Sequence, residues 1–481
     1  MRKRFLVVTT AIIAVTLLSL IGYWILSSAA AAGDFDGTFP SVQNAEDIYA
    51  SAIDAVNSAD RMALNITKNT LTTAGAELFE ENSLISYVYE NPGSDTMRAS
   101  ATETVTIGSQ AYKTTEFYID GTAYITVNDS GFSSKMTADA FSARFIPSVC
   151  LEPSLYAQIT GVDTGESYIL SFSKPSAPED WIADTISGFE TAAGTAYISH
   201  DGKLLRSVYT ISYKLSNATV NLSIMVEPVA APTTIQSPAD LESYVPITYL
   251  DGPKQLEKAC GYLLLARNLS AVYTDETYFE AFGDKRVENI NLYTSLAGAW
   301  SALVDTKRSI TNTSREGEVS NSAEKQLFAG NIYCSAKDGG ALIPDATIRL
   351  QDMQNYCNQR LLSTIMLPEY ITQCTMTQDS KTITIRFNGN EDFAKLISSN
   401  ACQILYQKPE LLNEIAQSST TKTLTCYLKI DKTSGLPLSA GIEFSGSFEV
   451  NQLPYVLSFK ADQTYVIPDG TANDIITKAA G

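Results

Sequence analysis

The sequence predicts an α+β protein, an N-terminal transmembrane helix followed by two tandem domains that each open with a helix and continue as a long antiparallel meander. Three observations carry that reading. The first 25 residues hold a basic cluster and then an uncharged apolar run. Beyond them, period-2 runs rich in Thr, Tyr, Val and Ile are punctuated by Pro-Gly, Asp-Gly and Ser-Gly pairs, as strands joined by tight turns would be. Midway, a Pro-rich stretch breaks the alternation, and a helical pattern followed by alternating strands begins again.

At the N-terminus, Arg2, Lys3 and Arg4 precede the uncharged stretch Phe5 to Ile25, about 31 Å of helix and enough to cross a bilayer. Basic residues before the span, with Asp34 and Asp36 after it, orient the N-terminus to the cytoplasm and the rest outside. Residues 28–32, Ser-Ala-Ala-Ala-Ala, also suit a signal-peptidase site, so a cleaved signal peptide and a secreted body are the alternative. A signal core is shorter, about 7 to 15 residues, which favours the retained anchor. No cysteine precedes Cys150, which excludes lipid attachment at a processed N-terminal cysteine.

Residues 1–33 form this segment, and a first domain is expected over 34–230. Ala45 to Ala59 places Ile48, Ala52, Ile53 and Val56 at helical spacing behind Asn44. Strands are expected at Met62 to Ile66, Leu84 to Tyr89, Met97 to Ile107 and Ala111 to Val127. Helices follow over Ala138 to Phe145 and Ser154 to Thr160, then strands at Tyr168 to Ser173, Gly194 to Ser199 and Leu204 to Glu227. After Pro228, the run Pro232, Pro238 and Pro246 marks a linker, 231–252. The second domain, 253–481, opens with a helix at Gln255 to Asn268 whose stripe is Leu256, Ala259, Leu263, Leu264 and Ala266.

The halves align on each other. At one spacing Tyr118 falls on Tyr333, Pro153 on Pro368, Gln158 on Gln373 and Phe172 on Phe387. The alternating residues Tyr168, Leu170 and Phe172 then face Ile383, Ile385 and Phe387. At a second spacing Gly202, Leu205 and Tyr209 fall on Gly435, Leu438 and Ile442. A duplicated unit of one helix plus a long meander accounts for both alignments.

The segment Asp431-Lys432-Thr433-Ser434-Gly435-Leu436-Pro437-Leu438, between two long strands, resembles a turn common in LolA-like envelope proteins, a superfamily that includes periplasmic lipoprotein carriers. Asp201-Gly202-Lys203-Leu204 is a shorter form in the first half. The resemblance rests on this turn and on element order across both halves. It implies that each domain is a curved antiparallel sheet, an open half-barrel with helices on its concave side, enclosing an apolar cavity for acyl chains. The residues it would place in that cavity are Tyr118, Tyr168, Leu170 and Phe172 in the first half and Tyr333, Ile383, Ile385 and Phe387 in the second. Tandem domains on an anchor depart from the free soluble carriers of that superfamily.

Composition narrows the function. A formal charge of -19 repels phosphate backbones and excludes nucleic acid as a partner. The single histidine, His200, lies in the turn Ser199-His200-Asp201-Gly202, so triads, Cys/His dyads and most zinc sites have no imidazole to use. The seven cysteines include no C-x-x-C pair and leave disulfide pairing open. Paired acids at Glu80-Glu81, Glu179-Asp180 and Glu391-Asp392 are adjacent in loops rather than converging from separate elements. No catalytic residue, metal, or cofactor is implied. The expected protein is a non-enzymatic, extracytoplasmic envelope component held in the membrane through residues 5–25. It binds a lipid, lipoprotein or other hydrophobic ligand, or holds an envelope component. The alternative is a structural or protein-interaction module whose sheets are filled by their own side chains.

Overall fold

The computed structural model describes residues 39–481 except 75–76, 109, 146–157, 175–188, 215–218, 233, 281–282, 313–317, 398–419, 433–434 and 451–452. The apolar run 5–25 lies outside them; among the described residues no helix is long and apolar enough to cross a membrane.

Helix α1 (Ala45–Asn57) buries Ala45, Tyr49, Ala52, Ile53 and Val56 along one face and carries Glu46 and Asp47 in its first turn, where the helix dipole favours acids. Six meander strands follow: β1 (Arg61–Ala74), β2 (Glu77–Glu90), β3 (Arg98–Ile107), β4 (Gln110–Ile119), β5 (Thr122–Val127) and β6 (Ser130–Lys135). The turns between β4, β5 and β6 are two-residue turns with both residues at positive φ, Asp120-Gly121 and Asn128-Asp129. That geometry matches the right-handed twist of the strands it joins. After the short helix α2 (Ala138–Ser142) come β7 (Gln158–Asp163), β8 (Ser167–Lys174), β9 (Phe189–Ser199), β10 (Leu204–Lys214) and β11 (Thr219–Val229). The helix expected over Ser154 to Thr160 is corrected at its described end. Gln158–Thr160 belong to β7, because pairing with β8 places Ile159 opposite Phe172 on the buried face.

In the segment expected as a linker, β12 (Val245–Pro246) pairs parallel to β6 at the edge of the first sheet. Helix α3 (Gly252–Leu265) opens the second half. Then come β13 (Asn268–Phe279), β14 (Asp284–Ser295), β15 (Ser301–Asn312), β16 (Glu318–Ala329), β17 (Ile332–Lys337), β18 (Ile343–Pro344) and α4 (Leu350–Asn358). Five strands complete it, β19 (Ile371–Gln378), β20 (Thr382–Gly389), β21 (Thr420–Asp431), β22 (Pro437–Val450) and β23 (Leu453–Val466), before the C-terminal helix α5 (Ala472–Ala480).

The strands form two large sheets of 12 and 11 strands, ordered β12-β6-β5-β4-β3-β2-β1-β11-β10-β9-β8-β7 and β18-β17-β16-β15-β14-β13-β23-β22-β21-β20-β19. Setting β12 aside, the two orders are the same: β1 to β6 correspond to β13 to β18, and β7 to β11 to β19 to β23. The alignment of Phe172 with Phe387 agrees with this correspondence, since Phe172 pairs with Ile159 and Phe387 with Cys374 in matching strands. Tyr118 does not correspond to Tyr333. Tyr118 and Ala123 flank the β4–β5 turn as Phe328 and Tyr333 flank the β16–β17 turn, which makes Phe328 its counterpart. Small length changes in turns shift a constant spacing without disturbing strand order.

One continuous apolar core lies against the inner faces of both sheets. A smaller cluster, Leu303 and Leu327 with Ile476 of α5, covers part of the outer face of the second sheet.

Candidate functional site

The residues expected to line a cavity all lie in or against this core. In the first half Phe172 is wedged between Tyr49 of α1 and Tyr209 of β10, with ring centroids 5.0 and 5.5 Å away. The two tyrosine hydroxyls are hydrogen-bonded at 2.9 Å. Leu170 is fully buried beside it, and Tyr168 lies half-buried with its ring edge-on to His200. Tyr118 packs on Phe141 of α2 and donates its hydroxyl to the Met136 carbonyl at 3.2 Å. In the second half Ile385 and Phe387 are buried, while Tyr333 and Ile383 are half-buried against the same core. His200 sits in the β9–β10 turn, as its Asp-Gly neighbours predict, and shares a 2.9 Å contact with Asp163.

Between the two sheets lies a feature that the sequence reading missed, a seam of ion pairs around α3. The apolar stripe of α3, Leu256, Ala259 and Leu263, is buried, and Gly252 lies so close to Cys374 of β19 that a Cβ would overlap its sulfur. The side facing the first sheet presents Lys254, Lys258 and Tyr262, spaced four residues apart and so in line on one helix face. Opposite them, three adjacent strands present acids from their inner faces. Lys254 pairs with Glu103 of β3, and Lys258 with Glu81 at 2.6 Å; Glu80 and Glu81, expected in a loop, lie in β2, where alternation turns only Glu81 inward. The Tyr262 hydroxyl donates to Glu81 at 3.1 Å. Arg144 bridges Glu116 of β4 and Asp251 just before α3, at 2.6 and 2.7 Å. Glu77 of β2 accepts from the backbone N–H groups of Arg267 and Asn268.

Burial and pairing oppose each other here. Glu103 is desolvated, yet the ammonium of Lys254 and the Ser83 hydroxyl together hold its carboxyl below the usual range. At Glu116 desolvation outweighs Arg144 and raises the carboxyl. The signal for this seam is present in the strand pattern, because Glu103 occupies the inward phase of the run Ala99, Ala101, Val105, Ile107.

A second polar cluster lies on the inner face of the second sheet. Arg286 and Glu288 occupy the same phase of β14 as Ile290 and Leu292, and Arg286 is 0% exposed. Its Nη2 donates to both carboxylate oxygens of Asp275 on β13, at 2.9 and 2.8 Å, and to Glu288 at 3.3 Å. Arg308 of β15 donates to Glu288 at 2.6 Å. The remaining Arg286 nitrogens, Nε and Nη1, have no hydrogen-bond partner, nor does the hydroxyl of Thr277, directly across the β13–β14 ladder. Each donor left unsatisfied in an interior costs about 1–3 kcal/mol. Desolvation, followed by the opposing pull of Arg286, leaves the Asp275 carboxyl raised.

Among the described residues no group of three His, Cys, Asp or Glu side chains converges to hold a metal ion. The five described cysteines, Cys260, Cys334, Cys357, Cys374 and Cys426, are free thiols.

No protein-family model matches the chain, and no curated protein matches it. Several solved structures are weakly similar. LprF from Mycobacterium bovis is 16% identical over 41% of this chain and 98% of its own, with a TM-score of 0.26. The MucA/MucB complex of Pseudomonas aeruginosa is 9% identical over 90% and 97%, with a TM-score of 0.20. A LolA superfamily protein from Nitrosomonas europaea is 11% identical over 42% and 100%, with a TM-score of 0.18. At these scores the fold rests on the chain's own two sheets.

Proposed function

We propose that this chain is a non-enzymatic protein anchored in the membrane through residues 5–25, with its body outside the cytoplasm. In this reading each half is an open half-barrel that curls around an apolar interior with helices on its concave side, and it binds a hydrophobic or lipid ligand or holds an envelope component. The observation that carries the reading is the pair of large sheets in the same strand order, each contributing aromatic and aliphatic side chains from its inner face to one apolar core. An open sheet of more than about ten strands curls or splits, and twist of about 20° per strand pair turns such a sheet around whatever covers its inner face. The basic cluster before Phe5 supports the orientation.

A second reading, a structural or interaction module filled by its own side chains, is favoured for the first half by Phe172 between Tyr49 and Tyr209 and by α3 lying against the acids of β2, β3 and β4. Native mass spectrometry of the full chain, extracted in mild detergent and followed by lipid analysis, separates the two. A stoichiometric acyl lipid that survives detergent exchange is the expected result. A ligand-free mass that persists after challenge with lipids rules out the hydrophobic-ligand reading and leaves the second.

A further inference from the structure

We infer that the Arg286–Thr277 cluster on the inner face of the second sheet is a binding site for an uncharged carbonyl oxygen, that of an ester or amide, carried by an apolar ligand. This rests on the hydrophobic-ligand reading above and gives it a place and a polar contact.

The argument starts from the correspondence between the two sheets. Counting from the matched strand ends, Arg61 with Glu90 and Asn268 with Ser295, Arg286 stands where the first sheet has Glu81, and Thr277 where it has Thr70. In the first sheet that position is filled from within the chain, since Lys258 and Tyr262 of α3 reach Glu81. At the matching position of the second sheet, Arg286 is fully buried with Nε and Nη1 unpartnered, and the buried Thr277 hydroxyl beside it is unpartnered too. Donors without an acceptor define what such a site takes. Arg supplies five N–H donors and no acceptor, so the missing partner is an oxygen.

Charge decides which oxygen. Asp275 and Glu288 balance Arg286 and Arg308 within the cluster. An added carboxylate or phosphate would leave a net negative charge in an interior that penalises one, whereas a carbonyl oxygen satisfies the donors and leaves the balance unchanged. The apolar surroundings fit a greasy ligand: Phe459 of β23 lies across the ladder from Thr277, and Ile290 is buried on the strand that carries Arg286.

Photolabelling of the full chain in mild detergent tests this, with a probe whose diazirine sits in the alkyl chain of methyl palmitate, a matching hydrocarbon probe, and unlabelled methyl palmitate, N-methyl palmitamide and palmitate as competitors. The expected result is labelling of peptides from β13, β14 and β23 by the ester probe, competed by the ester and the amide about fivefold better than by free palmitate. Thr277→Val, which removes one neutral donor, should lower that labelling about fivefold while the unfolding midpoint of the ligand-free protein does not fall. Arg286→Lys is the second variant and should lower it at least as far. Equal labelling by ester and hydrocarbon probes, with both variants silent, overturns the carbonyl site and leaves hydrophobic binding standing. Stronger competition by free palmitate also overturns it, in favour of an anion site. Labelling of neither inner face by either probe overturns this inference together with the hydrophobic-ligand reading.

Discussion

Replacing Lys254 by Met probes the seam most directly. Lys254 is 22% exposed at its side chain and its partner Glu103 only 7%, so the substitution leaves a carboxylate buried against Ser83 without its cation. Breaking a buried pair from one side typically costs about 3–5 kcal/mol, but Glu103 can escape by taking up a proton. At pH 7, protonating a carboxyl of ordinary pKa near 4.3 costs about 3.7 kcal/mol at about 1.36 kcal/mol per pH unit, and this caps the penalty. At pH 5 the same step costs about 1 kcal/mol. The loss of stability should therefore be about 3 kcal/mol at pH 7 and about 1 kcal/mol at pH 5, measured from urea unfolding midpoints in mild detergent. The double variant Lys254→Met/Glu103→Gln, which removes both charges, should be more stable than Lys254→Met alone, because apolar replacement of a whole buried pair is near neutral. Lys285→Met is the control: Lys285 and Glu276 are paired but 43% and 52% exposed, and the change should stay within about 0.5 kcal/mol. A loss below about 1 kcal/mol at pH 7, an equal loss at both pH values, or a double variant no better than the single would refute the reasoning.

Other outcomes follow from the same geometry. The folded pKa of Glu103 is depressed, so its contribution is complete above the unfolded value near 4.3 and is lost as pH falls through the folded one; Glu103→Gln should flatten acid destabilisation over that window in pH-dependent unfolding. Gly194 pairs with Phe172, and a Cβ there would overlap its ring, so Gly194→Ala should destabilise by about 1–3 kcal/mol through overpacking, with a changed near-ultraviolet spectrum from the Tyr49–Phe172–Tyr209 cluster. Deleting residues 471–481 removes α5 and uncovers Leu303 and Leu327; light scattering should rise relative to the full chain, and an unchanged signal would contradict a covering role. Burial pushes the thiols of Cys357 and Cys374 up to about 12 and raises that of Cys426, so at pH 8 all three should resist maleimide in the folded protein and react once it is unfolded in urea.

The sequence determined the features set by neighbours along the chain. Strand phase, the Asp-Gly turns, the opening helices and the placing of Phe172 and Phe387 in matching strands follow from period-2 and period-3.6 patterns and from backbone preferences within a few residues; the turn expected at Ser-Gly lies two residues earlier, at Asn128-Asp129, and Ser130 and Gly131 open β6. The alternation put Leu170 and Phe172 in one phase of β8 and Ile385 and Phe387 in the same phase of its counterpart β20, and all four side chains are buried.

Tertiary structure alone decided what lies opposite those faces. Glu81, Glu103 and Glu116 stand at inward positions of their strands, yet their partners are about 30 to 180 residues away, on α3 and after α2, a separation that no local period encodes. The same limit hid the contrast between the halves. Equivalent positions hold Glu81, reached by Lys258, and Arg286, whose Nε and Nη1 have no partner. Tyr118 shows it on a smaller scale, because the pairing of Tyr118 with Ala123 and of Phe328 with Tyr333, not a constant spacing along the chain, defines its counterpart. Local pattern fixes which way a side chain points, whereas its charge partner depends on how separate sheets and helices come to share one interior.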